Sequence, residues 1–190
     1  MKQEKNISMK INNNVLYHTK TYLCGAMQYQ NGEYWRKKVQ DSLEPLNIKV
    51  FNPYLKPFVK DIQENASVAT DLLSAMERGD YDYVETNMRT IRSYDLNLVD
   101  RSDFVIAYIN PTVPTFGSIE ELTTACRMKK ATFIAIEGGK GNCPLWIMGM
   151  FPHKYIYNTI DDILDIIIKI DNDEIQIDSD RWKLLRKEYR

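Results

Sequence analysis

Only two histidines, His18 and His153, occur in 190 residues, so zinc sites built on imidazole and His-dependent acid–base catalysis have almost no candidates. Cysteine is scarce too. Cys24, Cys126 and Cys143 are odd in number and show no paired metal spacing, which reads as the reduced thiols of a cytoplasmic protein. Charge of one sign is missing: 25 Lys and Arg face 26 Asp and Glu, so no overall field selects a stable nucleic-acid partner or an anionic membrane. Long hydrophobic runs are absent, since DDILDIIIKI near the C-terminus is broken by Asp165 and Lys169 and is too short for a bilayer. The opening MKQEKNISMKINNN has charges but no apolar centre, so a polar tail over residues 1–17 is expected rather than a signal peptide. Neither GxGxxG nor GxxxxGKS/T occurs, which removes the signatures of dinucleotide binding and of a Walker phosphate loop. No cofactor or metal is called for.

What is present is an alternation of strands and helices. VLYHTKTYLCGAM reads as a first strand leaving through Gly25 and Ala26, and GEYWRKKVQDSLEPL carries Trp35, Val39, Leu43 and Leu46 at helical spacing. NIKVFNPY is a second strand ending at Asn52 and Pro53, DFVIAYIN a third, ATFIAIEGG a fourth and KYIYN a short fifth. The third is nearly continuous in apolar residues, as a strand covered on both faces should be. The pattern predicts an α/β fold: an open, mainly parallel five-stranded sheet with helices on both faces, flavodoxin- or Rossmann-like. One domain is expected over residues 18–170, with 55–90 as a helical insertion or lid broken at Gly79-Asp80, and a charged segment at 171–190.

In such sheets ligands bind beyond the carboxyl ends of the strands. Three ends offer polar or bare-backbone groups: Tyr22 to Met27, with Gly25 and Ala26 between them; Asn52-Pro53; and Asn110 to Glu121, with Asp95 one helix upstream of the third strand. The last contains PTFGSIEELTTA. There Gly117 is expected to take an unusual backbone angle, Ser118 to cap the next helix, and the helix's first amides to offer an anion site. Glu120 and Glu121 share that opening turn, where carboxylates complement the helix dipole whatever else they do. Neighbours on a helix diverge by about 100°, so both cannot face one pocket. Spacing alone does not choose between them.

At this point the residues resemble a known family, the nucleoside 2-deoxyribosyltransferase superfamily with its relatives that hydrolyse nucleoside 5′-monophosphates. The matching pieces are Tyr22-Leu23-Cys24-Gly25-Ala26-Met27, Val50-Phe51-Asn52-Pro53, Asp95 followed by Ser102 to Ala107, and Gly117-Ser118-Ile119-Glu120-Glu121-Leu122 with Ala125. The last is similar to the family's G-T-x-x-E-L-x-x-A. The resemblance implies Glu121 as nucleophile on the anomeric carbon of a (deoxy)ribosyl group, Tyr22 as its hydrogen-bond partner, and Asp95 as proton donor near the leaving base. It also implies a small-molecule nucleoside or nucleotide substrate and a homo-oligomer.

Two departures refine this. Many nucleoside transferases carry Asp six residues before the nucleophile, and Thr115 stands there. Pro114-Thr115-Phe116-Gly117 is more similar to the Pro-Ser-x-Gly of the nucleotide-hydrolysing branch, where a hydroxyl suits a phosphate that a carboxylate would repel. Proline also occupies the nearest place to an Asn that transferases draw from a neighbouring subunit, in Asn142 to Met150, so that role is not carried over. Trp146, Met148 and Met150 suit a base pocket or, equally, a core or dimer face. Arg89 and Arg92 are within reach of a phosphate or form a solvated helix face. Alternatives to a transferase are a 5′-monophosphate N-glycosidase and a non-catalytic nucleotide sensor on the same fold.

Overall fold

Along β1 (Lys20–Gly25) and β3 (Phe104–Ile109) the side chains alternate between two cores, and this alternation builds the layers. Leu23, Phe104, Ile106 and Phe133 face one side, with Trp35 and Val39 of α1 (Gly32–Leu43) and Ile163 and Ile167 of α6 (Ile160–Asp171). Tyr22, Cys24, Val105 and Ala107 face the other, with Leu98 and Val99 of α3 (Tyr81–Arg101) and Leu122 and Ala125 of α4 (Phe116–Arg127). The remaining elements are β2 (Lys49–Phe51), α2 (Ala66–Glu77), β4 (Ala131–Ile136), α5 (Leu145–Met150) and β5 (Ile156–Tyr157). The computed structural model describes residues 14–27, 32–55 and 66–177. The far N-terminal part of the expected polar tail and the end of the charged C-terminal segment, with Trp182, lie outside the described residues.

Among the described residues there are six α-helices and one sheet, in the order β2-β1-β3-β4-β5, with every pairing parallel. This is the expected α/β architecture. After β1 the chain goes to one side of the sheet, and after β2 it crosses to β3 on the other. The crevice between the carboxyl ends of β1 and β3 is therefore the topological switch point, where open parallel sheets hold their ligands. No helix among the described residues is long and apolar enough to cross a membrane.

Register explains Gly25. It pairs with Tyr108 of β3, and a Cβ at residue 25 would sit 2.6 Å from the Tyr108 carbonyl oxygen. Its φ of 154° is also one that side chains seldom adopt. The glycine serves the close approach of strand to strand, a role beside the approach of a ligand that the sequence suggests. At the other end of the domain, Asp171 accepts from the Leu16 amide at 2.9 Å and from Asn14 Nδ2 at 2.7 Å, fastening the turn before β1 to the end of α6.

Candidate active site

The buried phenol of Tyr22 needs a partner, because an unpaired hydroxyl in a core costs more than its hydrogen bond returns. It finds one in Glu121: Tyr22 Oη donates to Glu121 Oε1 at 3.0 Å. Burial comes first in pushing the phenol's pKa well above its ordinary value, followed by the nearby Glu121 and Asp95. Tyr22 thus remains protonated, a donor only to the carboxylate. Cys24, two residues on and on the same strand face, donates its thiol to the Ser118 carbonyl at 3.5 Å. Burial and the proximity of Glu121 raise its pKa well above that of a free thiol, so it stays a neutral thiol buried behind the cleft and not a nucleophile.

The two glutamates part company. Leu122 and Ala125 face the core and fix the rotation of α4. Glu121 then lies at the edge of the buried side, half-buried against Tyr22. Glu120, about 100° around the helix, turns outward to Arg92 of α3, which donates from Nε to Oε2 at 2.7 Å and from Nη2 to Oε1. Hydrogen bonding to Arg92 holds the Glu120 carboxyl below the usual range and raises the Arg92 pKa.

Contrary to the expectation that both could not face one pocket, Glu120 and Glu121 line the same cleft of about 560 Å³, which is broad enough to span the roughly 100° between them and suits a nucleotide-sized ligand. Asp95, buried on α3, lines it too, one helical turn from Arg92. Gly25, Ala26, Met27, Thr115, Gly117 and Ser118 complete the set that the cleft brings together. Asn52 is not among its lining residues. It sits at the end of β2, where its Oδ1 accepts from the Tyr54 amide at 3.1 Å and closes a turn. Trp146, Met148 and Met150 do not line the cleft either: Trp146 is exposed, and the methionines pack against the core beneath α4.

The start of α4 differs from expectation. The first helical bond runs from the Ile119 amide to the Thr115 carbonyl at 3.1 Å, so Thr115 is the cap residue and the amides of Phe116, Gly117 and Ser118 precede the ladder. Ser118 is buried inside the helix and caps nothing. Gly117 does not share the positive φ of Gly79, Gly138 and Gly139. Its bare backbone faces open space, with nothing within 4 Å of an added Cβ.

One residue at the site was missed in the sequence. Arg36 of α1 is fully buried, and its guanidinium donates to the carbonyls of Gly25 at 2.7 Å, Gly32 at 2.8 Å and Ala26 at 3.2 Å. It stacks 4.5 Å from the Trp35 ring centroid. Burial lowers its pKa, while Tyr22, Tyr54, Cys24 and Glu121 oppose that shift. The fork ties the exit of β1 to the start of α1 and shapes the wall at Gly25 and Ala26. The signal was a charged residue on the apolar stripe Gly32, Arg36, Val39, Leu43.

No family model matches the chain, and no curated protein matches it. Solved structures do. A 2-deoxyribosyltransferase from Bacillus psychrosaccharolyticus superposes with a TM-score of 0.53 at 15% identity, over 77% of this chain and 90% of that one. A CMP N-glycosidase from Clostridium botulinum gives a TM-score of 0.43 at 17% identity, over 78% and 98%. The chain has the deoxyribosyltransferase fold, an open five-stranded all-parallel sheet flanked by helices.

Proposed function

We propose that the cleft cleaves or transfers the N-glycosidic bond of a nucleoside or its 5′-monophosphate, with Glu121 as nucleophile. The observation that carries this is the 3.0 Å hydrogen bond by which Tyr22, buried behind the cleft and not among its lining residues, holds Glu121, which lines the cleft together with Asp95. A Glu121 oxygen attacks C1′, the bond from C1′ to the base nitrogen breaks, and its electron pair leaves with the base. Asp95 supplies a proton to that base. Water or a second base then attacks C1′, its proton passing to the Asp95 carboxylate, and the bond from C1′ to the Glu121 oxygen breaks, which frees Glu121 as a carboxylate again. Tyr22 holds the attacking carboxylate in one orientation throughout. A transferase and a hydrolase differ only in what reaches the ester.

The test is incubation of the protein with nucleosides and 5′-monophosphates of each base, with and without an added acceptor base, resolved by chromatography. Free base without acceptor is expected for a hydrolase, and exchanged nucleoside or nucleotide for a transferase. Binding without either product would make the protein a sensor.

Gly117 gives a second expectation. An alanine there meets no neighbour and no forbidden backbone angle, so Gly117→Ala stabilises α4 by up to about 1 kcal/mol. Because Gly117 lines the cleft, the same methyl is expected to lower kcat/KM about tenfold. Thermal unfolding and turnover measured together check the pair, and a variant that gains stability at unchanged kcat/KM would remove Gly117 from the binding surface.

A further inference from the structure

Among the described residues lining the cleft, Arg92 is the single cation, set against three carboxylates, Asp95, Glu120 and Glu121. It is engaged by Glu120 through both Nε and Nη2, in an ion pair whose side chains are 57% and 39% exposed. Exposure on that scale makes the pair weak, so a better anion displaces the carboxylate at little cost. The planar guanidinium presents the same two-pronged face to a phosphate, which carries about −1.5 to −2 charges at neutral pH against one on Glu120. Gly117, which leaves backbone bare at the cleft, lies one helical turn before Glu120. Arg89, one turn earlier on α3, is paired with Glu85 and does not line the cleft.

We propose that Arg92 anchors the 5′-phosphate of the substrate and that Glu120 holds it in place until a nucleoside monophosphate takes over the contact. This rests on the N-glycosidic reading of the cleft and narrows its substrate to the monophosphate. The adjacent glutamates then have separate tasks: Glu121 meets the sugar, while Glu120 keeps the phosphate-binding cation folded against the rim. Glu120 also sets a threshold, because a neutral nucleoside offers nothing to exchange for it.

The experiment compares each nucleoside with its own 5′-monophosphate, in the ribo and 2′-deoxy series, by calorimetry and, where turned over, by kcat/KM. Arg92→Ala is expected to lower the monophosphate-to-nucleoside ratio about tenfold or more. Glu120→Gln, which frees the guanidinium and removes a negative charge, is expected to raise that ratio several-fold, and Arg89→Ala to leave it unchanged. A ratio for Arg92→Ala within about twofold of the parent, or a fall for Glu120→Gln, overturns the assignment. If the parent protein releases base but the ratio does not move, only the role of Arg92 falls. If it neither binds nor cleaves any member of the panel, the reading of the cleft falls with it.

Discussion

Glu121→Gln is expected to keep the fold and lose base release by about three orders of magnitude or more, a barrier increase of about 4 kcal/mol. The exchange is nearly isosteric, and the amide oxygen still accepts from Tyr22 Oη, which lies 3.0 Å from Oε1 of the native residue. What disappears is the negative charge that attacks C1′, and a neutral amide is a poor nucleophile. Because Glu121 is half-buried at the cleft, little stability depends on that charge. The neighbouring position supplies the contrast. Glu120 points to Arg92 and not to Tyr22, so Glu120→Gln is expected to alter which substrate binds and to leave base release within about tenfold of the parent. Activity retained in Glu121→Gln and lost in Glu120→Gln would reverse the assignment of the two.

Arg36→Met is expected to lower stability by about 3 kcal/mol, as a shift in the midpoint of chemical or thermal unfolding. For a domain of this size that corresponds to about 10 °C in Tm. Methionine fills much of the same volume but donates nothing, leaving the carbonyls of Gly25, Ala26 and Gly32 without the guanidinium that now serves them. Arg36→Lys keeps the charge and loses the planar fork, so its loss should be intermediate. Turnover should fall further than stability alone explains, since the freed carbonyls belong to the cleft wall at Gly25 and Ala26. Unfolding of Arg36→Met at the parent's midpoint would mean that this buried cation does not organise the exit of β1.

Much of the architecture was legible because strand and helix periods are strong in this chain. The nearly unbroken apolar run of β3 required cover on both faces, and the alternation with helices required parallel pairing. The start of α4 was not legible: Ser118 has the chemistry of a cap, yet the helix had already begun at Phe116 and buried it. The position of Asn52 off the cleft was not legible for a different reason. An Asn at a strand end suits a ligand and a local turn equally, and only the folded chain shows it closing the turn at Tyr54. The choice between Glu120 and Glu121 depends on the rotation of α4, which is set when Leu122 and Ala125 dock on the sheet. Periodicity defines that angle only to within the width of the apolar stripe. Arg36 was hidden because its partners are backbone carbonyls, which carry no identity in a sequence.

The proposed mechanism turns on a covalent bond between position 121 and C1′ of a pentose. Intact-mass and peptide-mass spectrometry on protein quenched during slow turnover, with a 2′-fluorinated nucleoside or monophosphate to slow release of the ester, tests it directly. A mass increase equal to the glycosyl group, located on the peptide containing Glu121 and absent from Glu121→Gln, is the predicted result. Base release continuing with no adduct at that residue, or an adduct formed on another side chain, would contradict it.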